Sequence, residues 1–305
     1  LELRLSWIVI ALASAAVSGV VNLFDKTVMH RYATEQLTLP MLTGVMQTLI
    51  GVVALAVTRV PDGATASASG MAVLSGLFFG INGILLMRVL YHREVSKTIP
   101  VQQTAPIFAA ILALMFLGES ISALQWLAIL ATVTGAVTLS LKFDNGSWGI
   151  PLDRYFFMLI LGAFMFAVAN IVGKAALDEL PVLYVHGLRS IALGAIFLVV
   201  SVRPEPIANV RDFLRDRSPA LVFVASNELV IANASIILLL WALSLGPAAL
   251  VLAVAGTRAM FVVLFSTTLA LVWKGALGEQ TSPTAIAIKV GSTSLIVAGI
   301  VGIAV

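Results

Sequence analysis

The sequence predicts an all-α integral membrane protein, with ten transmembrane helices arranged as two inverted five-helix repeats. Three observations carry that expectation. Of 305 residues, 60% are apolar and only 11% are charged, against roughly 25% charged in a soluble domain. Too few charges remain to clothe a water-facing surface, so lipid must cover most of the exterior. Apolar stretches recur along the whole chain and leave nothing for a sizeable aqueous domain. Finally, short polar motifs repeat in the same order in the two halves.

Ten segments are each near the ~20 residues that cross about 30 Å of hydrocarbon. They run over 6–29, 39–58, 70–91, 98–117, 121–141, 154–176, 182–202, 219–243, 248–272 and 282–304. In the first, Ala13-Ser14-Ala15 mimics a signal-peptidase site, but the apolar run continues to Leu23, so a retained helix is expected. Pro61-Asp62-Gly63, Asp144-Asn145-Gly146, Glu179-Leu180-Pro181 and Gly246-Pro247 punctuate the connectors. The longest connector, Arg203 to Ser218, has four arginines, acids and two prolines, a composition suited to a short amphipathic helix at the interface.

The repeat rests on ordered pairs. Asn22-x-x-x-Lys26 returns as Asn170-x-x-x-Lys174, Gln47 falls opposite Arg189, Leu117-Gly118-Glu119 returns as Leu277-Gly278-Glu279, and Gly135-Ala136-Val137 faces Gly299-Ile300-Val301. The offset drifts from about 142 to 164 residues, with one insertion around Trp273 to Ala276. Residues 1–146 thus form the first unit and 147–305 the second. Because five is odd, the second unit must be inverted, a common plan for secondary transporters with a site between the halves.

Several chemistries are disfavoured. There is no cysteine, and His30, His92 and His186 are far apart without ligand-type partners at i+4, so no metal site or other cofactor is expected. The 18 basic residues are scattered rather than run together, which argues against a nucleic-acid partner. No nucleotide-binding or hydrolase motif is present, so an ion or solute gradient must supply the energy.

The two halves resemble the drug/metabolite transporter superfamily, specifically EamA-type carriers. In the first half the likeness lies in Glu94-Val95-Ser96-Lys97-Thr98-Ile99-Pro100, Ala105-Pro106-Ile107-Phe108, Leu117-Gly118-Glu119, Gln125-Trp126-Leu127 and Gly135-Ala136-Val137. In the second half it lies in Trp241 to Pro247, Ala259-Met260-Phe261-Val262, Leu277-Gly278-Glu279, Lys289-Val290-Gly291 and Ile296 to Gly299. The resemblance implies two inverted bundles, a central substrate cavity, alternating access and a multi-pass plasma (bacterial inner) membrane protein. It does not name the cargo. One departure is that Arg258 stands where the first half has Pro106, so the break expected by symmetry in the ninth segment is expected to be missing.

A charge at the bilayer centre costs roughly 2.5–3.5 kcal/mol on insertion scales, so polar residues there face protein or water. The candidate substrate-binding residues are Asn22, Asn82, Gln102, Gln103, Asn170, Arg189, Asn227, Glu228 and Arg258. Asn22, Asp25 and Lys26 share a face of the first segment, as a cavity wall or as a helix end with Lys26 snorkelling and Asp25 paired to it. Asn170 and Lys174 carry the same two readings. Gln102 and Gln103 precede Pro106, which removes a backbone donor and marks either a bent substrate-facing helix or a packing kink.

Glu228 lies about ten residues inside the eighth segment. It is the candidate for proton coupling, the partner of a buried Arg189 or Arg258, or a substrate contact. Two deep arginines against one deep acid favour an anionic or zwitterionic cargo such as an amino acid. Arg88 and Lys289 read as snorkelling residues, and Glu119 and Glu279 as first-turn acids of the helices that follow.

Orientation is contradictory. Connectors after odd-numbered segments hold eleven basic residues against three on the other side, which puts the termini outside, whereas the resemblance implies cytoplasmic termini. The latter is the expectation adopted. The function expected is a secondary transporter, exporter or exchanger, of a small organic metabolite, with protons as a candidate coupling ion. The alternatives are an integral-membrane enzyme or a passive channel.

Overall fold

A computed structural model describes residues 2–31, 37–92, 101–140, 152–216, 219–272 and 283–304. The motif at 94–100, the connector at 144–146 with the unit boundary, and Leu277-Gly278-Glu279 lie outside these residues. So do the insertion around Trp273 to Ala276 and the side chains of Asp25 and Lys26.

Every described element is helical. They are α1 (Glu2–Arg31), α2 (Thr38–Thr58), α3 (Ala66–His92), α4 (Ala105–Phe116), α5 (Ala123–Ser140), α6 (Arg154–Leu177), α7 (Val182–Ser201), α8 (Pro204–Arg215), α9 (Pro219–Ala225), a π turn (Ser226–Ile231), α10 (Ala232–Leu245), α11 (Ala248–Ala255), α12 (Arg258–Val272) and α13 (Pro283–Ala304). Among the described residues, seven helical stretches are long and apolar enough to cross a membrane, and Ser6–Asn22, Ala105–Phe116 and Ala123–Leu139 are shorter apolar ones. Large apolar side chains face outward along them: Val57 is 75% exposed, Phe116 70% and Val199 82%. Such a surface is at home in lipid and untenable in water.

Lipid gives helices no hydrophobic reason to associate, so close packing of small residues does that work. A Cβ on Gly51 of α2 would lie 2.7 Å from the Gly187 carbonyl of α7, and one on Gly194 of α7 would lie 2.8 Å from the Gly44 carbonyl of α2. Gly135 of α5 and Gly299 of α13 meet their partner helices in the same way, each with a backbone carbonyl 2.8 Å from where a Cβ would stand. The main pairings are α2 with α7, α5 with α13, α3 with α6 and α7, α1 with α10, and α4 with α6 and α11. The connector after α7 forms the amphipathic helix α8, whose Val210 and Phe213 pack against a cluster containing Leu39 and Leu42 of α2.

Two expectations need correction. The fourth segment breaks at Gln103–Thr104, just before Pro106, as the proline predicts. The ninth breaks as well, at Gly256–Thr257, although Arg258 replaces the proline. In both, a threonine closes the turn: Thr104 N–H donates to the Val101 carbonyl at 3.2 Å and Thr257 N–H to the Val254 carbonyl at 3.0 Å. Proline is therefore not what the break needs; a glycine beside a turn-forming threonine serves equally.

Glu119 is not a first-turn acid of α5. Gly118, at φ +64°, turns the chain so that the Glu119 carboxylate accepts the Ala248 N–H at 2.6 Å and the Ala249 N–H at 3.2 Å. It thus caps α11, a helix whose own N-cap, Pro247, offers no side-chain acceptor. Of the three readings open for Glu228, the arginine ion pair is not seen: among the described residues neither Arg189 nor Arg258 has a carboxylate oxygen within 4.0 Å.

Candidate functional site

The π turn interrupts the eighth segment where its polar residues lie. The wider turn buries both Asn227 and Glu228, although adjacent residues of a regular helix point about 100° apart. Asn233 Nδ2 donates to the Glu228 carbonyl, satisfying backbone that the wider turn disturbs. The carboxyl of Glu228 faces Gln47 and Thr43 of α2. Gln47 is the tenth residue of that 21-residue helix, hence near its middle.

Arg189 of α7 is 2% exposed. Its guanidinium donates from Nη1 and Nη2 to Asn170 Oδ1 of α6 at 3.4 and 3.3 Å, and stacks on the Phe79 ring of α3 with 4.3 Å to the centroid. An amide and an aromatic face hold the cation without neutralising it. His186, one turn earlier on the same face, lies against Arg189 and Asn233. It links the arginine to the Glu228 group. Gln47 Oε1 and Arg189 Nε are buried without a hydrogen-bond partner among the described residues.

Of the predicted residues, Asn170, Arg189, Asn227 and Glu228 thus come together. Asn22 is half-buried on α1, one turn beyond Ser18, on the face that meets α10 through the Ser18–Ser235 hydroxyl contact at 2.5 Å. Asn82 and Gln102 meet elsewhere, where both crowd Gly162 of α6, and Gln102 Nε2 donates to the Leu159 carbonyl at 3.3 Å. Gln103 joins the two helix breaks: its Nε2 donates to the Gly256 carbonyl at 3.0 Å, with Pro106 packed against Gly256. Arg258 opens α12 beyond that turn, and among the described residues no ion pair joins it to Glu228. Asn170 and Lys174 part company, since Lys174 Nζ turns to Asp178 Oδ1 at 3.9 Å.

The cluster also takes in His186 and Asn233, which the sequence marks as polar residues within apolar spans, and Thr43, Gln47 and Phe79, which sequence reasoning does not assign to a site. The register of Gln47 against Arg189 was the available signal. Among the described residues no cluster of His, Asp or Glu could hold a metal ion.

The cluster is a buried polar centre within a bundle of apolar helices. Residues 5–141, just under half of the chain, match the EamA-like transporter family, so this part of the chain is similar to membrane transporters. No curated protein matches the chain. A solved structure, described only as the crystal structure of a protein, is similar over 97% of this chain and 96% of its own, with a TM-score of 0.67 and 17% identity. At that identity the likeness carries the fold alone.

Proposed function

We propose that the chain is a secondary transporter that moves a small zwitterionic or anionic metabolite, such as an amino acid, by alternating access about the Arg189–Glu228 cluster. One observation carries this reading: a buried arginine and a buried acid share one cluster without pairing to each other. A purely structural pair would have closed, because separate charges in low dielectric are costly. Held apart, Arg189 offers a fork for a carboxylate and Glu228 a partner for an ammonium or a proton.

Ten spans in two inverted units, 1–146 and 147–305, are part of the same proposal. The pairings support it, since adding or subtracting five from the segment number turns the α3–α6 pair into α10–α1 and returns α2–α7, α5–α13 and α4–α11 to themselves. The matching helix breaks, joined by Gln103, add to it and suit a hinge between the units. Proton coupling through Glu228, cytoplasmic termini and a plasma (bacterial inner) membrane location complete the proposal. Counterflow of labelled amino acids in liposomes tests it: exchange that saturates and is lost in Arg189→Gln supports the carrier. Non-saturating flux without counterflow replaces it with a channel.

A further inference from the structure

A second polar feature lies at one end of the bundle, away from the Arg189–Glu228 cluster. The last turn of α3 and the first turns of α6 enclose a cavity of about 190 Å³ lined by Arg88, His92, Arg154, Tyr155 and Met158. That is small beside the roughly 300–1,000 Å³ of sites that take a whole drug-sized ligand. It suits a single headgroup-sized group.

The lining is one-sided in charge. Arg88 and His92 lie four residues apart on one face of α3. Arg154 Nη2 donates to the Tyr155 hydroxyl at 2.7 Å, its guanidinium lies 4.7 Å from the Tyr155 ring centroid, and the His92 ring lies 5.7 Å from the same ring. The tyrosine thus holds a cation and an imidazole in place. Asp153, the nearest acid in sequence, caps α6, accepting the Tyr155 and Phe156 N–H groups at 3.0 and 3.2 Å. Among the described residues no carboxylate lies within 4.0 Å of Arg88 or Arg154.

We infer that the Arg88–His92–Arg154–Tyr155 pocket is a binding site for a phosphate group. Two planar guanidinium forks and a phenol match the tetrahedral oxygens of a phosphate mono- or diester, and among the described residues no acid is paired to either arginine. Two sources share that chemistry: the headgroup of an anionic phospholipid and a free phosphate-bearing solute. The pocket lies where the spans end, at headgroup level, and its neighbours Tyr91 and Phe157 are exposed in the manner of an interfacial aromatic belt.

Native mass spectrometry of the full chain in mixed micelles of phosphatidylglycerol and phosphatidylcholine tests the inference, beside thermal shifts with inorganic phosphate against chloride at equal ionic strength. Wild type is expected to retain phosphatidylglycerol preferentially. Arg88→Gln and Arg154→Gln should each weaken retention roughly fivefold, the equivalent of about 1 kcal/mol per basic group at an anionic surface. Arg88→Lys should keep part of it. Both arginines are exposed, so the lipid-free thermal midpoint should not move. A shift with inorganic phosphate, lost in the double variant, supports the site and assigns a free phosphate; lipid preference without that shift supports it and assigns the headgroup. Equal retention by wild type and double variant without a phosphate response overturns the inference. So does an equal loss in Arg211→Gln on α8, which would reduce the effect to general surface charge.

Discussion

Glu119 is the clearest long-range contact that a single substitution can isolate. Its carboxylate supplies both acceptors for the Ala248 and Ala249 N–H groups, 129 and 130 residues away. Both alanines are fully buried, so water cannot replace it readily. A hydrogen bond to a charged group contributes about 1.5–3 kcal/mol net. Glu119 itself is only half-buried, which lowers the pair to about 2–3 kcal/mol in total. Glu119→Ala should cost that amount, and Glu119→Gln, which keeps one neutral acceptor, about half. At roughly 2–4 °C per kcal/mol for a large domain, the alanine variant should melt about 5–10 °C lower. The assay is thermal unfolding in one detergent at one scan rate, because unfolding of such a protein is governed by rate. An alanine variant within about 2 °C of wild type would refute the reasoning, since the cap would then be a contact without consequence.

Gly76→Ala should destabilise by about 1–3 kcal/mol, because a methyl there overlaps the Arg189 carbonyl, which is backbone and cannot swing aside. Gly70→Ala on the same helix meets nothing within 4 Å and should be neutral or stabilising by up to about 1 kcal/mol; thermal midpoints of the two separate packing from propensity. Arg189→Lys keeps the charge but loses the paired bonds to Asn170 and the stacking on Phe79, so counterflow should fall at least tenfold, by the roughly 1.4 kcal/mol that one such contact is worth; undiminished exchange would mean that charge alone suffices. The chain has no cysteine, so Asp62→Cys and Asp216→Cys report sidedness cleanly. Cytoplasmic termini predict that an impermeant thiol reagent added outside labels position 216 and not 62, and the reverse pattern would vindicate the basic-residue count.

The helical spans were legible because composition and segment length leave a membrane chain few alternatives. The helix breaks were only half legible. Pro106 announces the first, but the second is made by Gly256 and Thr257, which are ordinary residues in a membrane helix. Glu228 and Arg189 could be singled out because a charge at mid-span is costly wherever it points. Thr43 and Gln47 are cheaper to bury, so nothing in their own helix marks them until the pairing of α2 with α7 is known. The stacking of Arg189 on Phe79 was hidden for the same reason, since it depends on how α3 meets α7. The partner of Glu119 is not encoded locally at all, because it depends on how the two halves come together.

The most direct test of the central claim is a thermal-shift titration of wild type, Arg189→Gln and Glu228→Gln with amino acids, organic acids, phosphorylated metabolites and organic cations. A ligand at a hundred times its dissociation constant adds about 2.7 kcal/mol of stability. The account predicts stabilisation of wild type by a zwitterionic or anionic solute, its loss in Arg189→Gln, and a changed pH dependence of binding in Glu228→Gln. Stabilisation by organic cations alone, or an undiminished shift in Arg189→Gln, would contradict it.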